Sequence, residues 1–149
     1  MPFRWSRPRP SYELRVEPLF RPGVWRLLAV ESRCRLDLLA EVVAASFALE
    51  PSAHLFVLPG ERSGSWSSEE GESGAVRLGE VLDRPGELLL YWHGGFGGTL
   101  YNLRLEGRLS GKGLPPFDCL GGEGAVGDEQ AFDLEATRER LARFHGVPL

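Results

Sequence analysis

Tyr12, Leu14 and Val16 alternate with Glu13, Arg15 and Glu17 near the start of the chain. A period of two buries one face of a strand and wets the other, so residues 12–19 are predicted as a half-buried strand. Arg21-Pro22-Gly23 supplies a turn, because proline presets one backbone angle and glycine admits positive φ. Residues 24–30, rich in branched and aromatic side chains, read as the returning strand of a hairpin. The period then changes. Leu36, Leu39, Val43 and Phe47 recur at three and four residues while Asp37 and Glu41 fall opposite, which predicts an amphipathic helix over residues 36–49 that has ended by Pro51.

Residues 54–58 read as a short strand stopped by Pro59-Gly60, and residues 61–74 are so rich in Ser, Gly and Glu that a solvated loop is expected. Val76, Leu78, Val81 and Leu82 suggest a short helix, and residues 87–92 another strand ahead of a glycine-rich turn. Leu100, Leu103 and Leu105 with Tyr101 argue for a further strand, and the slip in alternation at Asn102 suggests a bulge there. Residues 107–130 read as irregular. Residues 132–145 are an amphipathic helix with Asp133 as N-cap, Leu134, Leu141 and Phe144 on its buried stripe, and Gly146 as its stop. Strands and helices do not alternate strictly, which argues against a doubly wound parallel sheet. The expected fold class is α+β: a single mixed, mostly antiparallel sheet, grasp-like or roll-like, with helices packed on one face. A right-handed crossover through the first helix would lay the third strand parallel to one of the first two.

At 149 residues the chain is sized for one core. Residues 1–11 read as a flexible basic N-terminal arm and 12–149 as a single domain. No apolar run is long enough for a membrane span, the N-terminus lacks the pattern of a secretory signal, and two isolated cysteines, Cys34 and Cys119, fit a reducing compartment. A cytoplasmic protein is expected. The net charge of −4 disfavours nucleic acid as the default partner, although Arg4, Arg7, Arg9, Arg15, Arg21, Arg26, Arg33 and Arg35 crowd the first quarter. Lys112 is the lone lysine, a bias that reads first as genomic composition.

Several segments in fixed order narrow the picture. Tyr12-Glu13-Leu14-Arg15-Val16-Glu17, Val24-Trp25-Arg26, the run from Leu36 to Phe47, His54-Leu55-Phe56, Val76 to Leu82, Leu89-Leu90-Tyr91, Cys119-Leu120-Gly121-Gly122 and Phe132 to Ala136 together resemble the plasmid pRiA4b ORF-3-like family over residues 12–145. Where that family usually has Asp-Phe-Gly-Asp followed by tryptophan, this chain has Gly95-Phe96-Gly97-Gly98 with no tryptophan following, so both carboxylates are gone. Val126 stands where a second family cysteine is common, and Gly127-Asp128-Glu129-Gln130 replaces a Pro-Pro-Glu-Asp run. The resemblance implies little about activity, because the family is largely uncharacterised; some members carry resolvase-like or repressor-like labels.

Candidate chemistry is sparse. His93-Gly94-Gly95 is similar to a lipase oxyanion segment, and Gly71-Glu72-Ser73-Gly74-Ala75 nearly spells a nucleophile elbow, but their order and the size of the chain are wrong for that fold. The glycines from 94 to 98 read instead as a hairpin turn with Phe96 packed over its tip. They open no helix, as a phosphate cradle would, and Gly111-Lys112-Gly113 lacks the rest of a P-loop. His54, His93, His145, Cys34 and Cys119 show no ligand spacing, so neither metal nor cofactor is expected. The leading expectation is a non-catalytic binding or regulatory domain with a protein partner, its candidate residues being Trp25, Arg26, His54, His93, Phe96 and Cys119. A nucleic-acid-associated regulator would use the arm residues Arg4, Arg7 and Arg9 beside Phe3 and Trp5. A metal-assisted hydrolase would have to assemble His54 and His93 with carboxylates such as Asp118 and Glu123.

Overall fold

Strand β1 (Ser11–Pro18) turns through Leu19 to Val24 into β2 (Trp25–Glu31), pairing antiparallel with Leu14 opposite Leu28. The structure, a computed structural model, describes residues 11–109, 114–126 and 131–149. Helix α1 (Leu36–Ser46) follows, then β3 (His54–Leu58), β4 (Gly64–Ser67), a 3-10 segment (Glu69–Ala75), α2 (Leu78–Val81), β5 (Leu88–His93), β6 (Thr99–Leu109), β7 (Phe117–Glu123) and α3 (Leu134–Ala142). The fold is α+β. Its seven strands form one sheet in the order β4-β3-β5-β6-β1-β2-β7, antiparallel at every pairing.

The parallel neighbour expected for β3 is therefore not formed. β6 occupies the free edge of β1 and β7 that of β2, so α1 carries the chain past β1, β6 and β5 before β3 pairs with β5. Two further expectations change. Residues 61–74 hold an edge strand and the 3-10 segment rather than a loop, because backbone pairing with β3 and Trp66, packed against the core, make up for poor side-chain hydrophobicity. Phe117 and Cys119 face inward from β7, in a stretch whose glycines hid the alternation. The bulge lies at Glu106, where Glu13 and Leu14 oppose Gly107 and Leu105, while Asn102 pairs in regular register with Glu17 and Leu90. A second irregularity leaves Leu120 as the extra residue of β7 opposite Leu27 and Leu28.

One interior joins all of this. Leu14, Val16, Leu28, Val30, Phe56, Leu89, Tyr101, Leu103 and Phe117 on the inner face of the sheet are buried in one cluster with Leu36, Leu39, Val43 and Phe47 of α1 and with Leu141 and Phe144 at the closing helix. Each large apolar side chain so buried is worth roughly 1.5–3 kcal/mol. α1 is more deeply set than its stripe implied: nine of its residues are buried, leaving Asp37 and Glu41 as its less covered positions. It ends at Ser46, three residues short of expectation, with Ala48 at φ 56° and the Leu49 amide donating to the Ala44 carbonyl. Asp133 caps α3 by accepting from the Ala136 amide at 3.0 Å, as the sequence indicated.

Candidate functional site

The first residue of β3 and the last of β5 lie side by side, so His54 and His93 are cross-strand partners. Both follow the inward alternation of their strands, which places them with Phe56 and Tyr91 in a group of packed rings: His54 to Phe56 at 5.6 Å, His54 to Tyr91 at 6.3 Å, Phe56 to Tyr91 at 5.0 Å and Tyr91 to His93 at 5.8 Å between centroids. Hydrogen bonds fix the tips. His54 Nε2 is 2.7 Å from Ser73 Oγ, and Tyr91 Oη is 2.7 Å from His93 Nδ1 and 3.3 Å from the Ala40 carbonyl. The Ser68 hydroxyl accepts from the His54 amide at 3.1 Å, tying the start of β3 to the end of β4.

Burial shapes the protonation of this group. It lowers the His54 pKa, opposed by a backbone hydrogen bond at Ser52 and by the Asp37 charge. It lowers the His93 pKa too, and the neighbouring His54 lowers it further, while a backbone hydrogen bond at Glu50 opposes both. The Tyr91 phenol is pushed well above its ordinary value by the same desolvation. Both imidazoles are thus neutral at neutral pH. In the unfolded chain a histidine protonates near about pH 6.5, so above that value the pair's stabilising contribution is complete. As pH falls below it the unfolded state takes up protons that the folded state resists, and stability declines toward the depressed folded values. The urea midpoint is expected to drop between about pH 7 and pH 5, and the drop should be smaller when both histidines are replaced by glutamine. A midpoint that holds or rises over that interval in the native sequence contradicts the assignment.

Between α1 and the start of β3 lies a cavity of about 210 Å³, with Asp37, Glu41, Ser52, His54, Ser68 and Tyr91 on its polar side and Ala40 and Pro51 supplying apolar wall. The two carboxylates stand one helical turn apart, so they share a face. Ser73 does not line this space and is 1% exposed. It sits in a 3-10 segment rather than on a strand-to-helix elbow, and its hydroxyl satisfies His54.

The other sequence candidates scatter. Arg26 and Cys119, expected in a binding set, belong to the interior. The Arg26 side chain is 0% exposed, lies over Phe47 and Phe132 at 4.5 Å from each centroid, and donates to the Ser46, Trp25, Glu123 and Gly124 carbonyls. Cys119 is buried with its thiol directed at the Gly121 carbonyl, and burial raises its pKa. Cys34 is buried as well, its pKa pushed up to about 12, and both are free thiols. Trp25 is half-exposed on the outer face, with Arg15 over its ring at 4.5 Å and its indole N–H donating to Glu123 at 3.2 Å. Phe96 does not pack over its turn; it is fully exposed. Gly94 and Gly97 take positive φ there, as a tight turn requires.

Of the hydrolase set, His54 and His93 meet but Asp118 and Glu123 do not join them. Both lie on β7 at the far edge of the sheet, Asp118 paired with Arg138 at 3.3 Å and Glu123 with Trp25. His145 is held by the Phe117 carbonyl at 2.8 Å. Among the described residues no group of three or more His, Cys, Asp or Glu side chains is arranged to hold a metal, and no helix is long and apolar enough to cross a membrane. Arg4, Arg7 and Arg9 lie outside the described residues. Asp37, Glu41, Tyr91 and Ser73 were not anticipated as neighbours of the histidines. Only the spacing of Asp37 and Glu41 on the side of the helix away from its apolar stripe hinted at a shared polar wall.

The opposite face of the sheet carries a second feature. Leu55, Trp92 and Leu100 form one cross-strand row, Val57 and Leu90 another beside Asn102, and Leu88 stands next to Arg104. All three described helices lie on the inner face, so these side chains stay half-exposed. At the same end, Leu19 and Phe20 are 42% and 88% exposed in the β1–β2 turn, which the Leu19 amide ties to the Leu100 carbonyl at 3.0 Å.

No protein-family model matches the chain, and no curated protein matches it. Its fold is similar to the crystal structure of a protein of unknown function from Methanosarcina mazei Go1, with a TM-score of 0.71 and 17% sequence identity over 94% of this chain and 84% of that one. At that identity the likeness is one of fold, and it supports the α+β class with its single antiparallel sheet.

Proposed function

We propose that this chain is a non-catalytic binding domain of the plasmid pRiA4b ORF-3-like kind, and that it docks a protein partner over the face of its sheet that carries none of the described helices. The observation that carries the reading is the continuous apolar surface of Leu55, Val57, Leu88, Leu90, Trp92 and Leu100. Contiguous apolar area on a sheet face marks an interaction surface more often than scattered apolar residues do, and tryptophan and other large side chains dominate such contacts. Bonding within the ring cluster opposes catalysis there. The acid–base side chains of the ring cluster, His54, His93 and Tyr91, hold one another, Ser73 or backbone, and the Ser73 hydroxyl is shut away from solvent. Kinship with the family rests on the ordered segments from Tyr12 to Ala136. A cytoplasmic location fits two buried thiols without a disulfide.

The test uses the intact chain and a Leu90→Asp, Trp92→Glu variant, both on strand positions that face solvent. Each is used to capture proteins from the native cell, and the recovered partner is then titrated against both. The variant is expected to bind at least about thirtyfold more weakly, the loss of a hot-spot contact, while its urea midpoint stays close to that of the native chain. A partner that binds the variant equally well places recognition elsewhere on the molecule and ends this reading.

A further inference from the structure

We propose that the cavity between α1 and the start of β3 is a binding site for an alkylammonium group, supplied either by a small free amine or by a lysine side chain. The charge of the lining points to a cation. Asp37 and Glu41 are the carboxylates of the wall, and no arginine or lysine lines it. The bonds that Asp37 makes, to Arg35 at 3.0 Å and to the Leu38 amide at 2.7 Å, both fall on Oδ1. Among the described residues no hydrogen bond or ion pair engages the Glu41 carboxylate. Arg35 offsets the Asp37 charge, so the Glu41 carboxylate is the charge of the wall left to an incoming cation, and the lining offers an anion no positive side chain.

The remaining wall suits the same ligand. The Ser52 and Ser68 hydroxyls of the wall offer lone pairs to an N–H donor. Ala40 and Pro51 give apolar contact for a methylene stem. A volume of about 210 Å³ is the share of roughly seven waters in the liquid, enough for an ammonium head with a short chain. A bare metal ion fits less well, since no group of three ligand side chains is present among the described residues. The site lies on the helix-bearing side of the sheet, so it stands independently of a partner on the opposite face.

The experiment is a titration at constant neutral pH, followed by the ring proton resonances of His54 and His93. Butylammonium chloride, an acetylated glycyl-lysyl-glycine amide and sodium butyrate are compared on the native chain, on Glu41→Gln and on Leu90→Asp. At least one amine is expected to shift the His54 ring saturably, with butyrate inert. Glu41 lies on an exposed helical position, so the glutamine variant keeps the fold; its affinity should fall by about fivefold, as for a half-screened ion pair. Leu90→Asp should bind the amine unchanged, whatever it does to a protein partner. Saturable binding of butylammonium assigns a free amine as the source, and binding of the peptide alone assigns a protein lysine. The proposal is overturned if neither amine moves the His54 ring, if butyrate moves it equally, or if Glu41→Gln binds as tightly as the native chain.

Discussion

Arg26→Ala is expected to lower the unfolding free energy by about 3–5 kcal/mol, the range for removing one member of a buried charged network. The position follows from simple alternation: Arg26 stands between Trp25 and Leu27 on β2, opposite Val16, and so points into the core. An arginine there needs acceptors, and the fold places carbonyls around it. Its Nε donates to Ser46 at 2.8 Å and its Nη1 to Trp25, Glu123 and Gly124 at 2.9 to 3.1 Å. The Ser46 bond has a wider role, since the last turn of α1 contains no basic residue. Its end carbonyls are instead met by Arg26 from β2 and by Arg140 from α3, which donates to Ala45 at 2.8 Å. Arg26 meets the Ser46 carbonyl, Arg140 adds a donor to the Ala45 carbonyl that also accepts from the Ala48 amide, and both charges complement the helix dipole. Alanine would remove these donors and leave a void between two rings. Urea denaturation with an unchanged m-value measures the effect, and a loss below about 1 kcal/mol, ordinary for a point mutant, would show that the clasp contributes little.

Phe47→Ala should cost a similar amount, about 3–5 kcal/mol, as for other fully buried phenylalanines. Phe47 caps the C-terminal end of α1, is 0% exposed, and packs on Tyr101 at 5.1 Å between centroids. The Arg26 guanidinium lies over the same ring at 4.5 Å. Because the two side chains touch, their losses should not add: the double variant is expected to fall short of the sum by about 0.5–3 kcal/mol. A double variant equal to the sum would mean that ring and guanidinium are energetically independent, and that the carbonyl bonds alone hold Arg26.

The arginine bias acquires a physical meaning from these contacts. Composition alone suggested a genomic habit, yet Arg26, Arg35, Arg77, Arg108, Arg138 and Arg140 each donate to backbone carbonyls of distant segments. A planar fork with several donors suits that task better than an ammonium point charge. None of this was visible from spacing, because every such bond spans a sequence separation that periodicity does not reach.

Local pattern by itself determined the elements whose burial repeats along the chain: the hairpin of β1 and β2, the central helix α1, the inward residues of β5 and β6, and the Asp133 cap of α3. These follow from side-chain direction, which alternates in strands and returns every three to four residues in helices. The sequence also marked His54 and His93 as individual candidates. Only the tertiary structure decided that they are cross-strand partners, that Ser73 and Tyr91 complete their hydrogen bonds, and that Asp37 and Glu41 wall the cavity beside them. It also decided that Arg26 and Cys119 are interior residues and that the strands pair without a parallel neighbour. Such outcomes depend on which edges are already occupied and on backbone pairing, and hydrogen bonds between backbones leave little trace in side-chain composition. Edge strand β4 and glycine-rich β7 are ordered by their neighbours, and so the pattern of their own residues could not announce them.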